Sequence, residues 1–192
     1  MPDFQHFKLF KPYGYLSQFE NNQTTRKNKK RLGELFDFPE GTMAIGRLDE
    51  DSEGLLFLTT DGQMSQKVRS KRTEKEYYVQ VDGEITLEAI ERLKKGVEIG
   101  IGGENYLTKN CDAFRLESPP DFPERGKKIR DARHGPTSWV SITLTEGKFR
   151  QVKKMTAAVG FPTLRLVRIR IGKELLDSMQ PGEVIPVTSF CL

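Results

Sequence analysis

Between Gly46 and Gly54 the chain reads Gly46-Arg47-Leu48-Asp49-Glu50-Asp51-Ser52-Glu53-Gly54, a run of carboxylates next to one arginine. Carboxylates at alternate positions suit two kinds of chemistry, which are ligation of a hard cation and nucleophilic or acid–base work by a single side chain. The cation reading starts well, because Asp49, Asp51, Glu53 and Gly54 match the first half of a calcium loop. It then fails, since the closing bidentate Glu of that template is Thr60 here and the residues between are Leu55-Leu56-Phe57-Leu58. A metal-dependent nuclease needs more ligands than Asp51 and Glu53 offer, so no metal is expected.

Other reactive motifs are missing. Gly126, Gly147 and Gly172 each precede a Lys but lack the Ser or Thr of a phosphate-binding loop, and Gly100-Ile101-Gly102-Gly103 lacks the third spaced glycine of a dinucleotide fingerprint. No cofactor is expected. His6 and His134 sit in no nucleophile-elbow context, and Cys111 and Cys191 form no CxxC pair, which argues against zinc or a disulfide scaffold. What remains is a loop carboxylate beside Arg47.

The partner class follows from how the charge is distributed. The net charge is only +4, but Arg26, Lys27, Lys29, Lys30 and Arg31 lie together, Arg125, Lys127, Lys128, Arg130 and Arg133 form a second group, and Arg165, Arg168, Arg170 and Lys173 a third. Three such clusters favour a nucleic acid over a merely solvated surface. No apolar run reaches the roughly 18 residues of a membrane span, and the amino terminus alternates where a signal peptide would be continuously apolar. The expectation is a cytoplasmic protein with no membrane segment.

The elements that must position Asp49 can be read from periodicity. Residues 4–9 suggest a strand ended by the turn Lys11-Pro12-Tyr13-Gly14, and a basic loop follows near 20–31. Met43-Ala44-Ile45 enters the acidic segment and Gly54 to Thr60 leaves it as a buried strand, so Asp49 lies on a connection between strands. Asp61 suits the cap of a short helix. Tyr77, Val79 and Val81 alternate onto one face of a strand, and 86–95 reads as a helix with Leu87, Ile90 and Leu93 inward. Residues 118–136 read as a long surface loop. After the strand 138–145, Val152, Met155 and Val159 mark a helix over 149–159 whose flanks carry Arg150, Lys153 and Lys154. Residues 164–171 and 183–187 read as strands. The order lacks a βαβ rhythm, which predicts an α+β fold with a mixed sheet.

Three blocks, in order and spacing, resemble the motifs of the RsuA/RluB/RluE/RluF family of ribosomal RNA pseudouridine synthases. They are Gly46-Arg47-Leu48-Asp49 with Asp51-Ser52-Glu53-Gly54-Leu55-Leu56, then Lys75-Glu76-Tyr77-Tyr78-Val79, then Glu146 to Met155. Pro136 to Trp139 and Gly160 to Arg168 are most similar to a large-subunit member. Phe149 and Lys153 stand where the family's basic motif often has Asn and Arg. The resemblance implies a pseudouridine synthase fold, a mostly antiparallel sheet flanked by helices with a catalytic cleft across it. It also implies one catalytic domain over 1–192 without an S4 domain, acting as a monomer on large-subunit ribosomal RNA. By the same resemblance Asp49 is the nucleophile, Lys153 its cationic partner and Tyr77 the ring that stacks on the target base. Arg47 enters the space left by the flipped nucleotide, Leu166 lines the pocket, and Arg150, Gln151, Lys154 and Arg168 bind RNA. A non-catalytic RNA-binding protein on the same fold is the alternative, although a carboxylate beside phosphates would weaken pure binding.

Overall fold

The computed structural model describes residues 4–19, 28–69 and 73–192. Arg26 and Lys27 of the first basic cluster lie outside them. The chain divides into two compact units, Met1–Thr73 with Arg168–Leu192, and Glu74–Val167.

The first unit opens with β1 (His6–Lys11), followed by β2 (Tyr15–Leu16) and β3 (Lys30–Arg31), which pair in parallel. Then come β4 (Met43–Ile45), β5 (Glu53–Thr59) and helix α1 (Gly62–Val68). Leu55, Leu56, Phe57 and Leu58 are all fully buried, so β5 is covered on both faces, as its unbroken apolar run requires. β1 pairs antiparallel with β5, with Lys11 opposite Gly54 and His6 opposite Thr59. Phe7, Leu9, Leu32, Leu56 and Leu58 form a core joined by Phe19, Leu35 and Phe38. Asp61 caps α1 as expected, its Oδ1 accepting the Gln63 N–H at 2.8 Å.

The second unit contains β6 (Lys75–Asp82), α2 (Leu87–Lys95), β7 (Glu98–Ile101), β8 (Glu104–Leu107), β9 (Asp112–Arg115), β10 (Thr137–Leu144) and α3 (Gln151–Ala158). β6, β10 and β9 are antiparallel neighbours, with Val79 opposite Val140 and Tyr77 opposite Ile142. The expected inward set Tyr77, Val79 and Val81 is buried. Strand β11 (Thr163–Ile171) is divided, its residues from Arg168 onward belonging to the first unit. The chain ends there with β12 (Glu174–Leu175) and β13 (Val184–Val187), the latter antiparallel to β1. The fold is α+β with a mixed, mostly antiparallel sheet.

Two expectations change, and one pair of glycines finds its role. Leu87, read as inward, is 80% exposed at the start of α2, while Ala89, Ile90 and Leu93 make the buried face. Helix α3 begins at Gln151 because Arg150 is left-handed, with φ 51°. Gly102 and Gly103, weighed only against a nucleotide motif, are instead the turn of the β7–β8 hairpin, with φ 60° and 88°. Positive φ at both central residues is what a tight hairpin demands.

The long stretch 118–136 has no strand, only a short 3-10 turn at Ala132–His134. Its cations are partly engaged by protein. Arg130 pairs with the Asp82 carboxylate, and Arg125 Nη1 donates to the Leu164 carbonyl at 3.3 Å. Arg165 Nη2 donates to the Pro123 carbonyl at 2.9 Å. The loop is thereby tied down within its own unit, and fewer of its charges remain for a polyanion than composition suggested.

At Gly54, φ is +109° and an added Cβ would sit 2.3 Å from the Arg168 carbonyl oxygen and 2.6 Å from its nitrogen. Both are backbone atoms that cannot step aside. Gly54→Ala should therefore destabilise the protein by at least ~2 kcal/mol, from overpacking and a strained φ together. Denaturant unfolding measures it, and an unchanged midpoint would contradict this geometry.

Candidate active site

Asp49 is half-buried between the buried Leu48 and the turn that leads into β5, where the Ser52 N–H donates to the Asp49 carbonyl at 3.0 Å. The loop is held by the end of β1 and the segment that follows it. Lys11 is fully buried, and its Nζ donates to the carbonyls of Ser52 at 2.8 Å, Pro12 at 3.1 Å and Glu50 at 3.4 Å. The Gly14 N–H donates to the Glu50 carbonyl at 2.8 Å. Ser17 brackets Leu48, its hydroxyl donating to the Leu48 carbonyl at 2.6 Å and accepting the Leu48 N–H at 2.9 Å. Lys29 pairs with the Glu50 carboxylate. Backbone groups on both sides of Asp49 are thus satisfied by protein, and the loop is preorganised. Arg47, on the same loop, is exposed.

Lys11 and Ser17 were not singled out in the sequence. Lys11 read only as the start of a turn, yet it shares the period-two face of Phe7 and Leu9. A lysine continuing an apolar face into a Pro-Tyr-Gly turn was the available signal.

In the second unit, Tyr77 is 8% exposed on β6. Lys153 and Lys154 are half-buried on α3, and Lys154 Nζ donates to the Gly100 carbonyl at 2.7 Å. The approach to α3 is organised by Glu146, which is buried. Its carboxylate accepts the Tyr106 hydroxyl, the Lys109 N–H at 2.9 Å and the Gln151 Nε2 at 2.7 Å, while Gln151 Oε1 accepts the Lys148 N–H at 3.0 Å. Burial opposes the charge on Glu146, but the Tyr106, Lys109 and Gln151 donors outweigh it and hold the carboxyl below its usual range. The same bond keeps the Tyr106 hydroxyl protonated by raising its pKa. Residues 147–150 form the link to α3, and Arg150 takes a left-handed conformation that costs a non-glycine residue about 1 kcal/mol.

Two residues expected to bind RNA lie inside. Gln151 is 4% exposed and bridges Glu146 to Lys148, and Arg168 is 3% exposed with its Nε donating to the Leu55 carbonyl at 2.7 Å. The resemblance placed both on the RNA; in the structure their side chains are buried and bonded to protein. Arg168 Nη2 is buried without a hydrogen-bond partner among the described residues. Leu166 is 4% exposed. Burial pushes the Cys111 thiol up to about 11, with Asp112 and Glu146 adding to the shift, so it is a poor nucleophile at neutral pH. Among the described residues no group of three His, Cys, Asp or Glu is arranged to hold a metal ion, and no helix is long and apolar enough to cross a membrane.

Two outcomes follow from these supports. Lys11→Met keeps the apolar stem but leaves the loop carbonyls without their donor, and should lower stability by about 2 kcal/mol in chemical denaturation. Glu146 has a folded pKa below its ordinary 4.5, so its stabilisation is present above that value and is lost as the pH falls below it. Thermal melts should show a shallower loss of Tm below pH 4.5 in Glu146→Gln than in the wild type. Parallel curves would mean that the carboxylate is not held ionised.

The family model described as RNA pseudouridylate synthase matches residues 5–158. Ribosomal large subunit pseudouridine synthase E of Xanthomonas campestris is 42% identical over 177 residues, which is 91% of this chain and 91% of that protein. The protein of the same description from Vibrio vulnificus is 42% identical over 175 residues, 90% of this chain and 70% of its own. A crystal structure of a pseudouridylate synthase superposes with a TM-score of 0.74 at 30% identity, covering 98% of this chain and 72% of that one. The Asp49 loop, the Tyr77 strand and the start of α3 all fall within the matched span, and the chain belongs to the RNA pseudouridylate synthase family.

Proposed function

We propose that this protein converts a uridine of large-subunit ribosomal RNA into pseudouridine, with Asp49 as the nucleophile. In that isomerisation the bond from uracil N1 to ribose C1′ breaks and a bond from C5 to C1′ forms. N1 gains a proton and C5 releases one to solvent. No electrons are exchanged and no group is added, so the reaction asks for a carboxylate, a confined base and a cation rather than a cofactor.

The observation that carries the proposal is the Asp49 loop itself. A nucleophile must meet C1′ along a fixed line, and the backbone on both sides of this half-buried carboxylate is held by Lys11, Gly14 and Ser17. The printed descriptions of the Xanthomonas and Vibrio relatives supply the choice of the large subunit.

The remaining roles belong to the same proposal. Tyr77 stacks on the target base, Lys153 is the cationic partner of Asp49, Leu166 gives the pocket an apolar wall, and Arg47 occupies the gap left when the nucleotide flips out. Asp49 and Arg47 are in the first unit and Tyr77, Lys153 and Leu166 in the second, so the proposal treats residues 1–192 as one catalytic domain. Arg150 and Lys154 bind phosphates, whereas Gln151 and Arg168 act by holding α3 and β5. The enzyme works as a cytoplasmic monomer without cofactor.

The test is release of tritium from ribosomal RNA carrying uridine labelled at C5. Wild-type protein should release it in proportion to the pseudouridine formed. Asp49→Ala should release none while binding the RNA as before, and Lys153→Met should be slowed far more than Lys153→Arg. Release by Asp49→Ala, or none by the wild type on large-subunit RNA, would defeat the proposal.

A further inference from the structure

Phe149 is 70% exposed, the most exposed phenylalanine among the described residues. It stands between Lys148 and Arg150, both exposed. A lone apolar side chain at the surface ordinarily needs no explanation, but two observations set this one apart.

The ring sits on a short link whose two ends are fixed. On one side Glu146 is buried and receives three donors. On the other, Gln151 is buried, reaches back to the Lys148 N–H at 3.0 Å, and follows Arg150 in its left-handed conformation. A strained backbone and a buried carboxylate therefore hold in place a side chain that contributes little to the core. A cation lies against the ring as well. Lys154 Nζ lies 5.2 Å from its centroid and is itself anchored on the Gly100 carbonyl at 2.7 Å, while Lys148 Nζ lies 4.8 Å over the neighbouring Tyr106 ring. An exposed π face on an anchored link, beside a cation, is an arrangement that can receive an unpaired base while neighbouring cations meet its phosphates.

We infer that Phe149 is a stacking platform for an unpaired base of the RNA, a contact separate from the target uridine and from the Tyr77 ring. The inference rests on the RNA reading above, and it makes the enzyme prefer single-stranded nucleotides at this point. Stacking needs the ring, not merely an apolar side chain. It is also insensitive to salt, unlike the phosphate contacts of Arg150.

Full-length protein is titrated with single-stranded polyuridylate and, as a control, with a polyadenylate–polyuridylate duplex whose bases are already paired. Phe149→Leu should bind the single strand roughly tenfold more weakly, equally at low and high salt, with duplex binding unchanged. Phe149→Tyr should retain wild-type affinity. The chain has one tryptophan, Trp139, which is buried, so Phe149→Trp reports on the loop against a shielded background. Its fluorescence should be quenched by the single strand and not by the duplex. Wild-type affinity in Phe149→Leu, an unquenched tryptophan at saturation, or no binding of polyuridylate by the wild type would each overturn the inference. Tritium release separates this from the proposed function. Wild-type turnover with an unaltered Phe149→Leu affinity removes only the platform, and absent turnover with a quenched tryptophan removes only the isomerase reading.

Discussion

The Lys11 ammonium is withdrawn from water and donates to the carbonyl oxygens of Ser52, Pro12 and Glu50, so the loop that carries Asp49 is folded around a buried charge. Burying an ammonium costs several kcal/mol unless its protons are satisfied, and here main-chain oxygens satisfy them. The antiparallel register of β1 on β5 makes this possible, because it sets Lys11 opposite Gly54 just where the acidic loop turns into the buried strand. Gly54 must then be glycine, since the Arg168 backbone occupies the place of a side chain. One ion, one register and one missing Cβ determine the path of the chain past Asp49.

The second unit uses a charge of opposite sign in a similar way. Glu146 collects a hydroxyl, a backbone amide and the Gln151 side chain, and the link it anchors delivers the start of α3. Donors outweigh desolvation there, which holds the carboxyl below its ordinary range. The β7–β8 hairpin supplies Tyr106 to this network and the Gly100 carbonyl to Lys154, so a hairpin without reactive groups of its own braces the cationic helix. Surface composition is a poor guide to which cations serve a ligand. Arg130 and Arg168 belong to basic clusters in the sequence, yet one is paired with Asp82 and the other supports β5.

The sequence by itself determined the elements whose physics is local. The apolar run of β5, the period-two face of Tyr77, Val79 and Val81, the Asp61 cap and the helical spacing of Val152, Met155 and Val159 depend on near neighbours and were legible, as were the α+β class and the acidic loop between strands. The order of the Asp49, Tyr77 and Lys153 motifs was equally a matter of sequence. Only the tertiary structure decided what depends on partners distant along the chain. Lys11 meets residues about 40 positions away, and Tyr106 meets Glu146 across another long separation. The inward turn of Gln151 and Arg168 and the outward turn of Leu87 follow from packing that no local period encodes. A hydrogen bond or a buried face is a property of two segments, so it becomes readable only when both have been brought together.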